Sequence, residues 1–377
     1  MGVTPVASTE VGYSFWNAGE RREREWEHTG GERTGVTRGG GTRQDGRMLA
    51  PLDEILGSLR VVTLPLAVRF RGVDHREVAL FRGPSGWAEF SPFVEYRDAE
   101  ASAWLAAAMD FAFAEQPEPV RGSVRVNATV PAVAAARVPE VLDRFGRCRT
   151  AKVKVAEPGE TLDDDVARVA AVRSALGPEG RVRIDANGAW NLDEAERAIH
   201  ALAEFDLEYV EQPCIELGEL VELRRRIRYL DIPIAADESI RKAADPGAVA
   251  RVGAADILVI KAQPLRGIRS ALSIVADAGL PAVVSSALES SVGLSMGVAL
   301  AAALPELDYD CGLGTGALLA ADVTANPVQP TGGELAVRRV APDPAELDAY
   351  ATPPDRASWW RDRVRRCHAL LAARERD

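Results

Sequence analysis

Between residues 151 and 263 the chain repeats one pattern five times: a short, nearly continuous apolar run closes on a charged residue, and a helical stretch follows. The runs are AKVKV (151–155), RVRIDAN (181–187), LEYVEQP (207–213), IPIAADES (232–239) and ADILVIKAQ (255–263). Burying a charge at the end of a β-rich run is costly unless it is paired or bound to a metal, so five of them at a regular interval predict a shared site. They are Lys154, Asp185, Glu211, Asp237 and Lys261, spaced by 31, 26, 26 and 24 residues. Each interval fits one strand, one helix and two loops. The helices have legible starts: Thr161 before LDDDVARVAAVRSAL, Asn191 with Glu194 as a capping box, and Asp245-Pro246 as a cap with a proline at the first helical position.

Counting outward, strands are expected to start near 124, 151, 181, 207, 232, 255, 281 and 308, the last two being PAVVSSALE and DYDCGLGT. Continuous apolar strands alternating with helices imply a parallel sheet, and eight such units predict an α/β fold, a closed (β/α) barrel of the TIM type. Before it, residues 58–93 alternate as strands do, with turn signals at Arg71-Gly72 and Gly83-Pro84-Ser85-Gly86. An Ala-rich helix is expected over residues 98–115, with Trp104, Met109 and Phe113 on its buried face. The expected division is an extension over 1–47, an α+β layer over 48–122, the barrel over 123–322, and a segment over 323–377 that packs back on the first layer. That last segment holds a strand-like GGELAVRRV and a helical tail with Trp359 and Trp360.

Residues 1–47 are rich in Gly and in both signs of charge but poor in aliphatic side chains, so they are expected to be disordered, and Met48 is read as a functional start. The segment has no apolar core for a signal peptide. VGLSMGVALAAALPEL (292–307) comes nearest to a membrane span and is too short, so no membrane partner is expected. A net charge of −11 argues against nucleic acid. Four scattered cysteines without a CxxC pair point to a reducing compartment, the cytoplasm by default, in a chain that could be a monomer or a homo-oligomer.

Active sites of such barrels sit at the carboxyl ends of the strands. Side chains two apart share a face, so Lys152 with Lys154, and Arg183 with Asp185 and Asn187, can look into the barrel. Asp185, Glu211 and Asp237 then converge, and a hard divalent cation is the simplest way to keep three carboxylates ionised. A single strand-end carboxylate more often caps a helix or pairs with arginine; three together weaken that reading. Glu238 stands beside Asp237, and parity leaves open which of them is the ligand. Lys154 and Lys261 would face each other across the metal as candidate bases, with Lys152 a supporting charge that can bind substrate. None of His28, His75, His200 and His368 falls at a strand end. Gly312, Gly314 and Gly316 could offer backbone N–H groups to an anionic substrate, as could Ser285 and Ser286.

The combination Lys152-Val-Lys154, Asp185-Ala-Asn187, Glu211-Gln-Pro213, Asp237-Glu-Ser239 and Lys261 resembles the enolase superfamily in its muconate-lactonizing subgroup. Within it, GWAEFSPF, AKVKVAE, RVRIDANGAW, LEYVEQPC, PIAADESIR, VVSSALESSVGL and ALPELDYDCGLGT are similar to the o-succinylbenzoate synthase family, from about Leu64 to Ala321. The resemblance implies Mg²⁺ held by Asp185, Glu211 and Asp237 rather than Glu238, with Asn187 near a small carboxylate substrate. It makes the first layer a capping domain whose loops near Arg69–His75 and Glu89–Pro92 close over that substrate. The implied reaction belongs to menaquinone biosynthesis: dehydration of 2-succinyl-6-hydroxy-2,4-cyclohexadiene-1-carboxylate to 2-succinylbenzoate, through an ene-diolate held by the metal. Two other readings stand beside it: an N-acylamino acid racemase or dipeptide epimerase on the same scaffold, and a non-catalytic metal-binding barrel. Asp308-Tyr-Asp310 superficially resembles an epimerase motif but falls early in its strand.

Overall fold

The computed structural model describes residues 49–374 except Arg71 and Ala244. The expectations for residues 1–47, for Met48 and for His28 therefore lie outside the described residues.

Three strands, Arg60–Phe70 (β1), Val73–Gly83 (β2) and Gly86–Phe90 (β3), form an antiparallel sheet in the order β1-β2-β3. The β2–β3 turn needs Gly86 at φ 122°, a region that a side chain disfavours. The helix Asp98–Phe113 packs on this sheet and is covered again by the helix Pro354–Arg374, which explains why it has no broad polar face. It buries Trp104, Met109 and Phe111, whereas Phe113, at its last turn, is only half-buried.

The second layer begins with Ser123–Arg125 (β4) and Ala128–Val130 (β5). The single strand expected from residue 124 is thus broken in two, because β4 turns away to pair with a strand from the far end of the chain. Then come Thr150–Lys154 (β6), Arg181–Asp185 (β7), Leu207–Glu211 (β8), Ile234–Ala236 (β9), Ile257–Ile260 (β10) and Ala282–Val284 (β11). β5 to β11 are parallel neighbours in chain order, a curled seven-stranded sheet.

No regular eighth strand forms at residues 308–315, contrary to the sequence reading. Cys311 and Gly312 instead make single parallel bridges to Val126 and to Ser285, with Gly312 N donating to Val284 O at 2.8 Å and Asn127 N to Cys311 O at 2.9 Å. These contacts carry the ring from β11 round to β5. Glycine has little strand propensity, and the chain here tightens into a 3₁₀ turn over Gly314–Leu318.

The predicted capping box is present at Asn191 with Glu194, and Thr161, expected only as a helix start, forms a second box with Asp164. The Asp245-Pro246 cap is displaced: the helix is the four residues Ala248–Arg251, and Asp245 Oδ1 accepts from Gly247 N at 3.1 Å in a turn before it. The apolar stretch near 292–307 is the helix Ser291–Ala303, buried on almost every face. No helix among the described residues is long and apolar enough to cross a membrane. After the barrel, Glu334–Ala336 (β12) pairs antiparallel with β4, while Trp360 on the last helix donates its indole N–H to Glu77 of β2 at 2.7 Å. The described residues from 323 onward therefore touch both layers.

Candidate active site

Strand parity fills the barrel interior with one column of side chains per strand. Tyr209, Ala235, Ile257, Val259 and Val283 form an interior cluster separate from the main core. Each column ends, two residues on, in Glu211, Asp237, Lys261 and Ser285, as Arg183 leads to Asp185 and Lys152 to Lys154. Arg183 is fully buried and fills the space below Asp185, donating to Tyr209 Oη at 3.0 Å and Asp310 O at 2.8 Å.

Lys154, Asp185 and Glu211 are the last residues of β6, β7 and β8 and stand in register, Lys154 beside Asp185 and Asp185 beside Glu211. Asp237 and Lys261 follow β9 and β10 directly. All five are buried, and so is Lys152. Each carboxylate is turned onto a lysine. Lys152 Nζ lies 2.9 and 3.0 Å from the oxygens of Glu211 and 3.2 Å from Asp185; Lys154 donates to Asp185 and, at 2.7 Å, to Asn187 Oδ1; Lys261 donates to Asp237.

These pairings set the proton affinities. Burial works against ionisation of Asp185, but Lys154 and Lys152 hold its carboxyl far below the usual range. Asp237 is lowered too: burial opposes this, and Lys261 and Arg241 overcome it. Glu211 goes the other way, raised by burial and by the like charges of Asp185 and Asp237. Lys154 is lowered, chiefly by burial, with Lys152 adding to it, and its ammonium nitrogen sits 5.5 Å from the Phe70 ring.

Among the described residues no three Asp, Glu, His or Cys side chains form a ready-made metal cage. The donor set nevertheless suits a hard cation: three buried carboxylates stand at the ends of adjacent strands, burial and then their mutual repulsion raise Glu211, and Glu238 Oε2 is buried with no partner. Arg241 holds both neighbouring acids, donating to Asp237 Oδ1 at 3.1 Å and Glu238 Oε1 at 2.7 Å. Gln212 fixes the same turn from β8, its Oε1 accepting from Asp237 N at 2.9 Å and Ser239 N at 3.1 Å. Sequence reasoning assigned neither residue a role, although both lie inside quoted motifs.

A cleft opens above these pairs, with about 500 Å³ of empty space when its open solvent is included. Lys152, Lys154, Lys261, Asn187, Ser285, Ser286 and Gly312 line it, as do Thr129 and Arg241. Its apolar side is Phe70, Phe93, Tyr96 and Trp104 from the first layer. Of the two loops expected to cover the site, the first contributes Phe70, while His75 is exposed beside Asp74; the second leads into Phe93. His200 is exposed on its helix and His368 bonds Ala50 O.

Gly314 does not line the cavity. The three spaced glycines are explained by close packing: a Cβ at Gly312 would lie 2.5 Å from Ser285 Oγ, at Gly314 2.8 Å from Asn127 O, and at Gly316 2.8 Å from Val328 O. Asp310 lies at the amino end of the strands, accepting from Thr150 Oγ1 at 2.7 Å and pairing with Arg125 at 3.1 Å.

Residues 132–342 match the model of the enolase C-terminal domain-like family, and residues 61–112 that of the enolase N-terminal domain-like family. The chain is 56% identical over 329 residues to the o-succinylbenzoate synthase of Mycobacterium ulcerans (strain Agy99), covering 87% of this chain and 98% of the relative. It is 57% identical over 325 residues to that of Mycobacterium tuberculosis (strain ATCC 25618 / H37Rv), covering 86% and 98%. The muconate lactonizing enzyme from Pseudomonas putida shares the fold, with a TM-score of 0.65 at 21% identity over 78% of this chain and 98% of that one. So does the L-Ala-D/L-Glu epimerase from Bacillus subtilis, with a TM-score of 0.62 at 20% identity over 74% and 95%.

Proposed function

The chain belongs to the o-succinylbenzoate synthases of the enolase superfamily, and we propose on that basis that its barrel-end cavity dehydrates 2-succinyl-6-hydroxy-2,4-cyclohexadiene-1-carboxylate to 2-succinylbenzoate. The reaction is that of a lyase, placed in menaquinone biosynthesis and in the cytoplasm.

Asp185, Glu211 and Asp237 would hold a divalent ion, Mg²⁺ in this proposal, with Arg241 and Gln212 fixing the turn that carries Asp237. When bound, the ion supplies positive charge to the substrate carboxylate and makes the adjacent C–H acidic. Lys154 takes that proton on Nζ. Lys261 stabilises the negative charge that develops on the substrate, and Lys152 keeps Glu211 compensated. In a syn elimination the proton on Lys154 passes to the departing hydroxyl, which leaves as water as the ring becomes aromatic. Phe70, Phe93, Tyr96 and Trp104 exclude solvent, and Asn187, Ser285, Ser286 and the Gly312 backbone bound the substrate's polar parts.

The observation that carries this reading is that Lys154 and Lys261, from β6 and the end of β10, line one cavity. A barrel that merely bound a cation needs neither. The position of Asp310 at the amino end of the strands speaks against a dipeptide epimerase built on Asp308-Tyr-Asp310. A single-turnover assay with the cyclohexadiene substrate tests the proposal: 2-succinylbenzoate forms within the first turnover, and no product would refute it.

A further inference from the structure

We infer that Arg76 and Glu89 are positioning residues: from the capping layer they hold the loop of residues 285–290 after β11, and with it one wall of the substrate cavity. The inference rests on the proposed reading of that cavity.

The loop cannot hold its shape alone. Leu288 adopts φ 64°, a left-handed conformation that a bulky side chain keeps only where its surroundings impose it. The imposing group is Arg76 of β2, only 3% exposed. Its Nε donates to Leu288 O at 3.2 Å, and its Nη2 reaches Ala287 O at 3.4 Å and Ser91 O. The same guanidinium lies 4.2 Å from the centre of the Phe93 ring. Ala287 from the barrel and Phe93 from the cap both line the cavity, so one planar cation ties the two sides together.

Glu89 of β3 completes the junction. Fully buried, it accepts from Ser290 N and Gly293 N, each at 3.1 Å, from Ser290 Oγ, and from Ser91 Oγ at 2.5 Å. Those N–H groups open the helix Ser291–Ala303. Ser290 Oγ caps this helix locally, accepting from Val292 N at 3.3 Å, and Glu89 adds a carboxylate from the other layer. The space is reserved for it: a Cβ on Gly293 would stand 2.8 Å from the Glu89 carboxyl carbon. Within the loop, Glu289 accepts from Ala287 N at 2.6 Å and Ser286 Oγ donates to Gly312 O at 2.5 Å, so Arg76 and Glu89 supply what the loop does not satisfy itself.

Neither residue touches Lys154, Lys261 or the carboxylates paired with them. Loosening the wall therefore weakens substrate binding and spares the proton transfer. The test uses the full chain with Arg76→Met, Arg76→Lys and a control, Arg339→Met. Arg339 is another cap-binding arginine, bonded to Ser85 O and Phe111 O and absent from the cavity. Arg76→Met is expected to raise KM by about tenfold or more with kcat within about threefold, the pattern for loss of binding that ground state and transition state share. Arg76→Lys keeps the charge and loses the fork, and gives a smaller rise. The control melts at lower temperature with KM unchanged. Equal KM effects in Arg76→Met and Arg339→Met, or none in either Arg76 variant, overturn the inference. If Arg76→Met does not fold, Arg76→Lys carries the test.

A second readout needs no substrate. Backbone amide exchange at Ser290 and Gly293 accelerates in the Arg76 variants and in Glu89→Gln; unchanged protection overturns the inference whatever the reaction. Failure of the wild-type chain to convert the cyclohexadiene substrate overturns the proposed function and leaves the exchange result standing.

Discussion

Lys152 on β6 and Glu211 on β8 meet across an intervening strand, the ammonium nitrogen 2.9 and 3.0 Å from the two carboxylate oxygens. Both side chains must point into the barrel to do so, and both are buried. Removing the cation leaves a carboxylate that burial and its neighbours already push toward protonation. Lys152→Met is therefore expected to lower the unfolding free energy of the metal-free protein by about 3 kcal/mol, the scale for breaking a buried pair. Denaturant unfolding measures it, and an unchanged midpoint would show that the pair contributes nothing.

The proposed base is Lys154. Lys154→Ala is expected to lose about 10²-fold or more in kcat, the usual scale for a general base. His200→Ala, on an exposed helical position, stays close to the parent. Comparable losses in the two variants would rule out a lysine base.

The proposed metal site is tested by chelation. Turnover is expected to vanish with a strong chelator and to return with Mg²⁺, whereas Asp237→Asn stays inactive at the Mg²⁺ concentration that restores the parent. Full activity in metal-free protein would refute the metal role.

Much of this site was legible because strand parity and the repeat length act locally. A residue two positions beyond a buried inward side chain is itself inward, and with the repeat length this brought Lys154, Asp185, Glu211 and Lys261 together with the Asp237-Glu238 pair; the choice of Asp237 over Glu238 came only from the family resemblance. The eighth strand was overread: DYDCGLGT has the right place in the repeat, but Gly312 is required by the Ser285 side chain, and Gly314 and Gly316 by backbone carbonyls, all too close for a Cβ, which no periodicity reveals. Arg241 and Gln212 act through pairings set by the turn after β9. The aromatic side of the cavity comes from residues 70 to 104, far before Asp185 in the chain, which pattern could place only in a layer. The meeting of Arg76 with Leu288 spans 212 positions and leaves no local trace.

Glu89 gives the fold a pH dependence of definite sign. Burial pushes its carboxyl from 4.5 to about 7, Glu289 adds to this, and Ser290, Ser91 and Arg76 oppose it. The folded chain thus keeps a proton that the unfolded chain has lost, so this contribution is full below the unfolded value and disappears as pH rises through about 7. Glu289, also raised by burial, slopes the same way. Stability of the parent relative to Glu89→Gln is expected to fall by on the order of 2 kcal/mol between about pH 5 and about pH 8. Parallel stability curves for the two proteins would refute the shift.

The most direct test of the central claim compares two substrates. Synthase and racemase both begin by removing an α-proton, so the lysines and carboxylates alone do not separate them. A racemase returns a proton to the opposite face and needs Lys154 and Lys261 equally; a syn dehydration needs one base on the face of the leaving group. The measurement is kcat/KM for the cyclohexadiene substrate against the rate of deuterium exchange into N-succinyl amino acids in D₂O. The account predicts efficient conversion of the former and at most slow exchange into the latter. A kinetic preference for the N-acyl amino acid would contradict it.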